Sequence, residues 1–246
     1  MTWRDRYFEV GYLKRWQLAA SSQAQVDEAE AFLVLTEAGH NPLILDLGCG
    51  HGRYSVGLAR VGARVVGLDG SRALLQRAQS QMPDAVRSIV WLRGDLRSLP
   101  LRCAFDVVVM IDAFGYFDAE GEDAVCLGEI RRVLKPGGRL FMRNPNATWL
   151  HHHFEPRQDE HRDGPSIAIE NTFDVERRWI DQRITIRDVD GVEKFRRRAR
   201  IYTSGELETL LTAARFAGTV HYGNAEGAEF HEQDSGRIFT VCRAIE

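Results

Sequence analysis

Residues 43–53 read LILDLGCGHGR, and this stretch decides the fold. A short apolar run that contains Asp46 passes directly into Gly48, Gly50 and Gly52. Such a run is typical of a β-strand buried on both faces, and the glycines after it are typical of a tight turn into a helix. This turn presents backbone N–H groups and the positive end of a helix, which suits a nucleotide-like ligand. A tight turn that binds nothing is the alternative.

Strands and helices alternate on both sides of this stretch. The periodicity predicts strands over 43–47, 63–68, 89–92, 105–111 and 139–143, and helices over 26–37, 52–60, 73–81 and 122–134. Ser71 is the predicted N-cap of the third helix. Alternation of this kind predicts parallel βαβ units and a doubly wound α/β sheet.

The residues after position 144 follow a different pattern. Near period-two alternation over 166–173, 178–189 and 194–202 predicts antiparallel strands, interpreted as an insertion on the end of the parallel sheet. A helix is predicted over 204–214. Ser204 is followed three residues later by Leu207, which gives no capping box there. Closing strands are predicted over 219–222 and 237–244.

Composition excludes several classes of protein. The chain has 246 residues, 44% of them hydrophobic, and a formal net charge of -3. No apolar stretch approaches the roughly 18 residues of a membrane span, and the first residues lack the apolar core of a signal peptide, so a cytoplasmic protein with no membrane partner is expected. The four cysteines are scattered, which argues against structural zinc and disulfides. The near-neutral charge makes nucleic acid an improbable partner.

Two further acids strengthen the case for a nucleotide-like ligand. Asp69 follows the second strand, where a carboxylate can accept hydrogen bonds from ribose hydroxyls, and Asp95 follows the third, where it can accept from an exocyclic amine. Each acid alone could instead cap a helix. The dehydrogenase fingerprint is excluded because its sixth position holds Arg53, and a P-loop is excluded because no GK[ST] follows the glycines.

Five motifs together carry a family resemblance. They are DLGCGHGRYS at 46–55, VGLDGS at 66–71, GDL at 94–96, FDVV at 105–108 and LKPGG at 134–138. In this order and spacing they resemble the class I S-adenosylmethionine-dependent methyltransferases of the small-molecule type. The resemblance covers 26–143 strongly and 202–244 more weakly.

The resemblance implies an overall architecture. This is a Rossmann-like, doubly wound, seven-stranded and mostly parallel sheet, in which 237–244 lies antiparallel beside the fifth strand and an antiparallel β insertion follows that strand. Residues 1–246 would form a single methyltransferase domain, with an N-terminal helical segment over 1–42 and an inserted substrate lid over 144–202. Similar enzymes fold an N-terminal segment over the cofactor, which here contains Tyr7, Tyr12 and Trp16, although plain packing is the alternative for these aromatics.

The resemblance also implies S-adenosyl-L-methionine as the cofactor. Asp46, Gly48 and Gly50 would surround its methionine part, and Asp69, with Gly70 beside it, would bind the ribose. Further cofactor-binding residues would be Arg53, Asp95, Leu96 and Ile111. For Arg53, a contact with the cofactor carboxylate and a solvated helix arginine stay as equal alternatives. The sulfonium is already a good leaving group, so the protein mainly has to align the acceptor, exclude water and accept a proton.

Candidate catalytic residues follow the fourth and fifth strands. Asp112 would face the substrate, and His152 and His153 of the run 151–153 have the pKa range needed to deprotonate a hydroxyl or ammonium group. The histidines could alternatively bind a metal with His161, Glu155 or Asp159, or lie in a solvated loop. No metal is expected, because no ligand pattern is readable.

The role of the basic run over 194–200 has several alternatives. Strand alternation places Arg196, Arg198 and Arg200 on one face and Arg197 on the other. The run could bind an acidic substrate or RNA, or form a solvated face paired with nearby acids.

The leading hypothesis is methyl transfer to an O or N atom of a small molecule. The alternatives are an RNA or protein methyltransferase, or a non-catalytic cofactor-binding or scaffold protein, and a homodimer stays open.

Overall fold

Eleven strands and eight helices make up the computed structural model, which describes residues 2–15, 23–81, 89–119, 121–161 and 165–245. The strands are β1 (Leu43–Leu47), β2 (Arg64–Asp69), β3 (Ile89–Arg93), β4 (Phe105–Ile111), β5 (Leu134–Pro145), β6 (Arg157–His161), β7 (Ser166–Asp174), β8 (Trp179–Asp188), β9 (Gly191–Arg200), β10 (Phe216–Tyr222) and β11 (Arg237–Ala244). The helices are α1 (Trp3–Arg6), α2 (Tyr12–Arg15), α3 (Gln23–Leu35), α4 (Arg53–Arg60), α5 (Arg72–Ser80), α6 (Glu122–Val133), α7 (Ala147–His152) and α8 (Ser204–Ala213). A π-helical turn over Tyr7–Gly11 joins α1 to α2.

Seven of the strands form one mixed sheet in the order β10-β11-β5-β4-β1-β2-β3. The four strand pairs from β5 to β3 run parallel, whereas β11 is antiparallel to both β5 and β10. The predicted fold class is therefore confirmed, including the place of 237–244 beside the fifth strand. The strand order reverses between β1 and β4, so the carboxyl ends of these strands border a crevice of the kind in which α/β sheets bind ligands.

The core occupies both faces of this sheet. On β4, Val108 and Met110 pack into a cluster with apolar residues of α6 and α8, whereas Val107 and Val109 pack into a second cluster with residues of α3 and α4. Burial on both faces explains why the strand sequence FDVVVMI is continuously apolar from Val107 to Ile111 rather than alternating.

Helix caps fix where two of the helices begin. Ser71 caps α5 as predicted, with its side chain accepting a hydrogen bond from the N–H of Leu74. The helix predicted over 204–214 is confirmed as α8, and its N-cap is Thr203, so the absence of a capping box at Ser204 did not mean that the helix has none. Thr203 forms a capping box with Glu206, in which each side chain accepts from the other residue's backbone N–H.

Strands β6 to β9 form a second, separate antiparallel sheet in that order. The expected antiparallel strands are present, but they do not extend the parallel sheet as interpreted from the sequence. Their inward apolar residues, such as Ile169, Ile184 and Phe195, pack instead against Tyr7 of the N-terminal segment. Two short elements, α7 and β6, were not predicted, because α7 has six residues and β6 reads RQDEH, without an apolar face.

The N-terminal segment connects the two sheets. Ser71 Oγ donates to the backbone oxygen of Phe8 at 3.2 Å, and the segment packs closely enough on β9 that a Cβ added at Gly11 would lie 2.8 Å from the ring of Phe195. Trp16, also expected in this segment, lies outside the described residues. None of the helices within the described ranges combines the length and apolar content needed to cross a lipid bilayer.

Candidate functional site

The glycine turn after β1 opens onto the crevice. Gly48 has a φ of 75°, and a Cβ there would lie 2.5 Å from the Cβ of Ala113, so a side chain is excluded on both counts. Gly50 has a φ of 57°, but a Cβ at this position would meet no atom within 4 Å. Open space above Gly50 allows a ligand to approach the backbone closely.

Asp69 lies at the end of β2, directly across from this turn. Its Oδ2 accepts from the N–H of Gly50 at 2.8 Å, and its Oδ1 accepts from the N–H of Ser71 at 2.8 Å. Each oxygen keeps one lone pair for a further donor. Burial raises the pKa of Asp69, and the two backbone donors oppose that rise. The carboxylate is therefore a fixed acceptor that lines the crevice together with Gly70.

Asp46 lies below the turn and is 2% exposed. Burial raises the pKa of this carboxyl group to about 6, although Ser55 Oγ donates a 2.5 Å hydrogen bond to it and favours the charged form. A carboxyl group with so high a pKa has few partners that stabilise its charge. It still reaches the lining of the crevice, so a ligand donor there could supply the missing hydrogen bond.

Asp95 and Leu96 line the crevice after β3. Asp95 accepts from both the backbone N–H of Arg97 at 2.8 Å and its Nε at 2.9 Å, and the side-chain hydrogen bond from Arg97 lowers the pKa of Asp95. Arg53, at the start of α4, has its guanidinium 4.9 Å above the ring of Tyr54 and lines the same space. Within the residues that the structure describes, Arg53 forms no ion pair.

Ile111 and Asp112 lie at the end of β4 and reach the same crevice. Asp112 has a φ of 52°, an uncommon backbone conformation for a residue other than glycine. Its Oδ2 accepts from Nη2 of Arg143 at 2.6 Å, whereas its buried Oδ1 has no hydrogen-bond partner among the described residues. A backbone outlier beside an unsatisfied oxygen is a combination that clusters at functional sites.

The three consecutive histidines have different surroundings at the end of α7, where the rings of His151 and His152 lie 5.2 Å apart. The ring of His153 stacks on Trp149 with centroids 4.3 Å apart, and this histidine lines the rim of the crevice. Its Nδ1 lies 2.9 Å from the backbone oxygen of Trp149. A carbonyl only accepts, so Nδ1 is the donor and Nε2 keeps the lone pair of the neutral ring. His152 is exposed and lies outside the lining, so the structure brings together Asp112 and His153 but not His152.

The alternative that the histidines bind a metal is not supported by the part of the chain that the structure describes. No group of three or more potential ligands comes together there. Asp159, one of the residues considered as a ligand, instead pairs with Arg157 at 2.9 Å.

Sequence reasoning missed a polar row on the second sheet. Asn171, Gln182 and Arg197 lie directly opposite one another on β7, β8 and β9 and line the crevice. The signal was present, because the other inward positions of these strands, such as Ile169 and Ile184, are apolar. His51 was also missed. It is 7% exposed, and burial lowers its pKa to about 4, which leaves a neutral ring in the glycine turn.

These residues surround a single cavity of about 2040 Å³. Three parts of the fold line it. The ends of the central strands contribute Asp46, Asp69 and Asp112, and the N-terminal segment contributes Tyr7, Phe8 and Tyr12. The second sheet contributes Asn171, Gln182 and Arg197. Pockets for one small ligand measure roughly 300–1,000 Å³. The cavity is therefore large enough for two molecules side by side.

The sequence and the fold of this chain are similar to those of known methyltransferases. Residues 45–142 match the family model described as "Methyltransferase domain". The chain is 40% identical over 117 residues to a cypemycin N-terminal methyltransferase of a Streptomyces species, which covers 46% of this chain and 47% of that protein. A structure of an S-adenosylmethionine-dependent methyltransferase from Clostridium acetobutylicum has a TM-score of 0.79 at 16% identity and covers 98% of this chain and 97% of that one.

Residues 45–142 therefore carry a methyltransferase domain, and the whole chain has the fold of the class I S-adenosylmethionine-dependent methyltransferases. CalS10 from Micromonospora echinaspora, an amino pentose methyltransferase solved with the cofactor bound, has the same fold. Its TM-score is 0.66 at 20% identity, with 96% of each chain covered. This chain spans about half the length of the curated relatives that it matches, such as the Streptomyces protein.

The cofactor of this family, S-adenosylmethionine, fits the donors and acceptors of this methyltransferase. The open cradle above Gly50 leaves room for a ligand against the backbone. Asp69, whose two oxygens are held by backbone N–H groups, can accept from a vicinal diol, and the buried Asp46 reaches the same lining. The cationic sulfonium would lie in a cavity whose lining includes the carboxylates of Asp46, Asp69 and Asp112.

Proposed function

We propose that this methyltransferase transfers a methyl group from S-adenosylmethionine to an O or N atom of a small-molecule acceptor. The observation that carries the proposal is the continuity of the cavity. One wall is formed by the carboxyl ends of β1 to β3, where the proposed cofactor-binding residues lie. The opposite wall is the inner face of the second sheet, and Asp112 lies on the lining between them. A cofactor and an acceptor could therefore meet in one continuous space.

Each end of the cavity has a proposed role. When bound, S-adenosylmethionine supplies an activated methyl group on a positively charged sulfur. Asp69 binds the ribose, with Gly70 beside it, while Asp46, Gly48 and Gly50 hold the methionine part. Asp95 and Leu96 bind the adenine, Arg53 pairs with the carboxylate and Ile111 packs beneath the sulfur. These assignments are supported by the shared lining of the cavity.

Asp112 is the proposed proton acceptor. Its Oδ1 is unsatisfied and can accept from the O–H or N–H of an acceptor molecule, while Arg143 holds Oδ2 and keeps the carboxylate oriented. His153 is the second candidate, because its Nε2 lone pair is available at the rim. His152 stays a weaker candidate, since it would have to move from its exposed position to reach the acceptor.

The segments that line the cavity favour a small acceptor. The N-terminal segment and the inserted region both cover the cavity, which supports the proposed division into a helical segment over 1–42 and a substrate lid over 144–202. The description of CalS10 as an amino pentose methyltransferase also supports a small molecule. The second candidate is the N-terminus of a peptide, favoured by the 40% identity to the cypemycin N-terminal methyltransferase over 117 residues.

The cellular location and the oligomeric state are part of the proposal. All four cysteines are free thiols, which suits a reducing compartment and supports the expected cytoplasmic location. A homodimer stays a prediction.

Calorimetric titration with S-adenosylmethionine and with S-adenosylhomocysteine tests the proposal. Wild type should bind both, and Asp69→Ala should weaken binding at least tenfold, whereas Asp190→Ala, which removes an exposed acid in the β8–β9 turn, should not. Absence of binding would show a non-catalytic scaffold. A methyl-transfer screen over amines, phenols, carboxylates, peptides and RNA then distinguishes the acceptors. Transfer to RNA alone would contradict the small-molecule assignment.

A further inference from the structure

The wall of the cavity that faces the acceptor carries a row of three polar side chains. Asn171, Gln182 and Arg197 are register partners across β7, β8 and β9. Their neighbours on the same inward face, including Ile180 and Ala199, are buried and apolar. Polar groups at inward positions of a sheet are costly unless they are satisfied, so such a row needs a reason.

A chain of hydrogen bonds fixes the orientation of every group in this row. Asn171 Nδ2 donates to the backbone oxygen of Glu155 at 2.8 Å. A carbonyl only accepts, so the Asn171 side-chain oxygen is left for Gln182 Nε2, at 2.8 Å, and the Gln182 oxygen is left for Nη1 of Arg197. The guanidinium is therefore held in place by amides whose orientation a backbone carbonyl determines.

Arg197 forms no ion pair with a carboxylate in the part of the chain that the structure describes, although Asp112 is near enough to help raise its pKa. Its Nε and Nη2 both donate to the Tyr116 hydroxyl, with 3.0 Å for Nε, and the guanidinium carbon stacks 5.0 Å from that ring. Burial raises the pKa of Tyr116, so this partner is neutral. By contrast, Arg196 and Arg198 both pair with Asp181 on the opposite face, at 2.6 Å and 3.3 Å.

Asp112 does not neutralise Arg197 either, because its carboxylate is already paired with Arg143 at 2.6 Å. Of the five N–H groups of Arg197, three donate in the bonds above, which leaves two free. An unpaired cation of this kind beside a cavity is suited to bind an anion, and one guanidinium matches one carboxylate in both charge and planar geometry.

We propose that the methyl acceptor carries a carboxylate group, which pairs with Arg197 on the inner face of the second sheet while the atom to be methylated faces Asp112. This inference rests on the proposed function for its acceptor. The polar row would then serve as a specificity element, because neutral molecules of the same shape would leave the guanidinium unpaired.

Binding of benzoate, benzamide and phenyl phosphate tests the proposal without any knowledge of the natural substrate. Benzamide has nearly the shape of benzoate but no charge, and phenyl phosphate represents the other common oxyanion. Titration calorimetry on the full chain, with and without saturating S-adenosylhomocysteine, measures each affinity. The variants are Arg197→Gln and Arg197→Lys, with Arg196→Gln as a control on the same strand but the opposite face.

Wild type and Arg196→Gln should bind benzoate at least tenfold more tightly than benzamide. Arg197→Gln should lose this preference, and Arg197→Lys should keep only part of it, because an ammonium cannot form the planar pair. Equal binding of benzoate and benzamide, no binding of benzoate, or an unchanged preference in Arg197→Gln would overturn the proposal. If wild type bound phenyl phosphate more tightly than benzoate, the carboxylate proposal would be wrong and a phosphate group would be the ligand of Arg197.

Folding and cofactor binding are controlled separately. Each variant should bind S-adenosylhomocysteine within about twofold of wild type, which shows that a loss of benzoate binding is not a loss of fold. If wild type binds benzoate but not S-adenosylhomocysteine, the proposed methyltransferase function fails while the anion site stands. The reverse result would leave the function in place and reject the carboxylate.

Discussion

Arg143 Nη2 donates a 2.6 Å hydrogen bond to Oδ2 of Asp112, while the buried Oδ1 of the same carboxylate accepts no hydrogen bond in the described part of the chain and has only Nε of Arg237 at 4.0 Å. One oxygen is therefore held and the other is left for a ligand. This asymmetry orients the carboxylate without consuming both of its acceptors, as expected of a group that receives a proton from a substrate.

Asp112→Asn should lower kcat about a hundredfold or more, because the amide keeps the shape but cannot accept a proton. Affinity for S-adenosylhomocysteine should change little. Steady-state kinetics with the acceptor found in the screen, together with calorimetry, measure the two effects. Asp190→Asn serves as the charge-matched control. Wild-type turnover in Asp112→Asn would transfer the role of base to His153.

Asp46 should make the ligand-free protein less stable as pH rises. The pKa of this carboxyl group is about 6 when folded and 3.8 in the reference state, so the folded chain binds more protons between these values. Its contribution is present below pH 3.8 and lost by about pH 6, with an upper limit of about 3 kcal/mol. Urea unfolding of wild type and Asp46→Asn at pH 4, 5 and 6 measures the difference. Parallel pH profiles would contradict the assignment.

His51 should act in the opposite direction. Its pKa is lowered from 6.5 to about 4, chiefly by burial, so the unfolded chain binds more protons in this range. The stability that it contributes is present above pH 6.5 and lost as pH falls towards 4. In wild type the effects of His51 and Asp46 partly cancel. His51→Gln should therefore show a steeper loss of unfolding free energy with rising pH than wild type, and an unchanged slope would show that His51 titrates normally.

The sequence predicted the central sheet well because its signals are local. The run Phe105–Ile111 and the closing strand Arg237–Ala244 were assigned with the observed bounds, since a continuous apolar run needs burial on both faces. The expected cofactor residues reach one cavity because they all follow strands that end at the same edge of the sheet.

Other features could not be predicted, because they depend on contacts between distant segments. Nothing local shows that Asp112 pairs with Arg143 or that Arg197 stacks on Tyr116, although strand alternation did place Arg197 apart from Arg196. Two acids near the basic run, Asp188 and Glu193, pair with Lys14 rather than with its arginines. These pairings require the second sheet to face the first, which no periodicity encodes.

The capping box of α8 should be measurable. Thr203→Ala removes the side chain that accepts from the N–H of Glu206 and should cost about 1 kcal/mol of unfolding free energy. Glu208→Ala changes an exposed residue of the same helix and should stay within about 0.5 kcal/mol of wild type. Chemical denaturation at neutral pH measures both. An equal effect of the two substitutions would mean that the helix does not depend on this cap.

The contact between Gly11 and Phe195 should determine how closely the N-terminal segment packs on the second sheet. In an ordinary helix, replacing glycine by alanine stabilises the fold by roughly 0.5–1 kcal/mol. At Gly11 the added Cβ would lie 2.8 Å from the Phe195 ring, so Gly11→Ala should instead destabilise it, by about 1–3 kcal/mol.

Gly205→Ala in α8 is the matched control, because a Cβ there meets nothing within 4 Å and should give the ordinary gain. Phe195→Leu removes part of the ring, so the double variant with Gly11→Ala should recover stability relative to the sum of the single changes. Thermal denaturation of the four variants measures this coupling. If Gly11→Ala stabilises the chain as much as Gly205→Ala does, the N-terminal segment is not held tightly against β9.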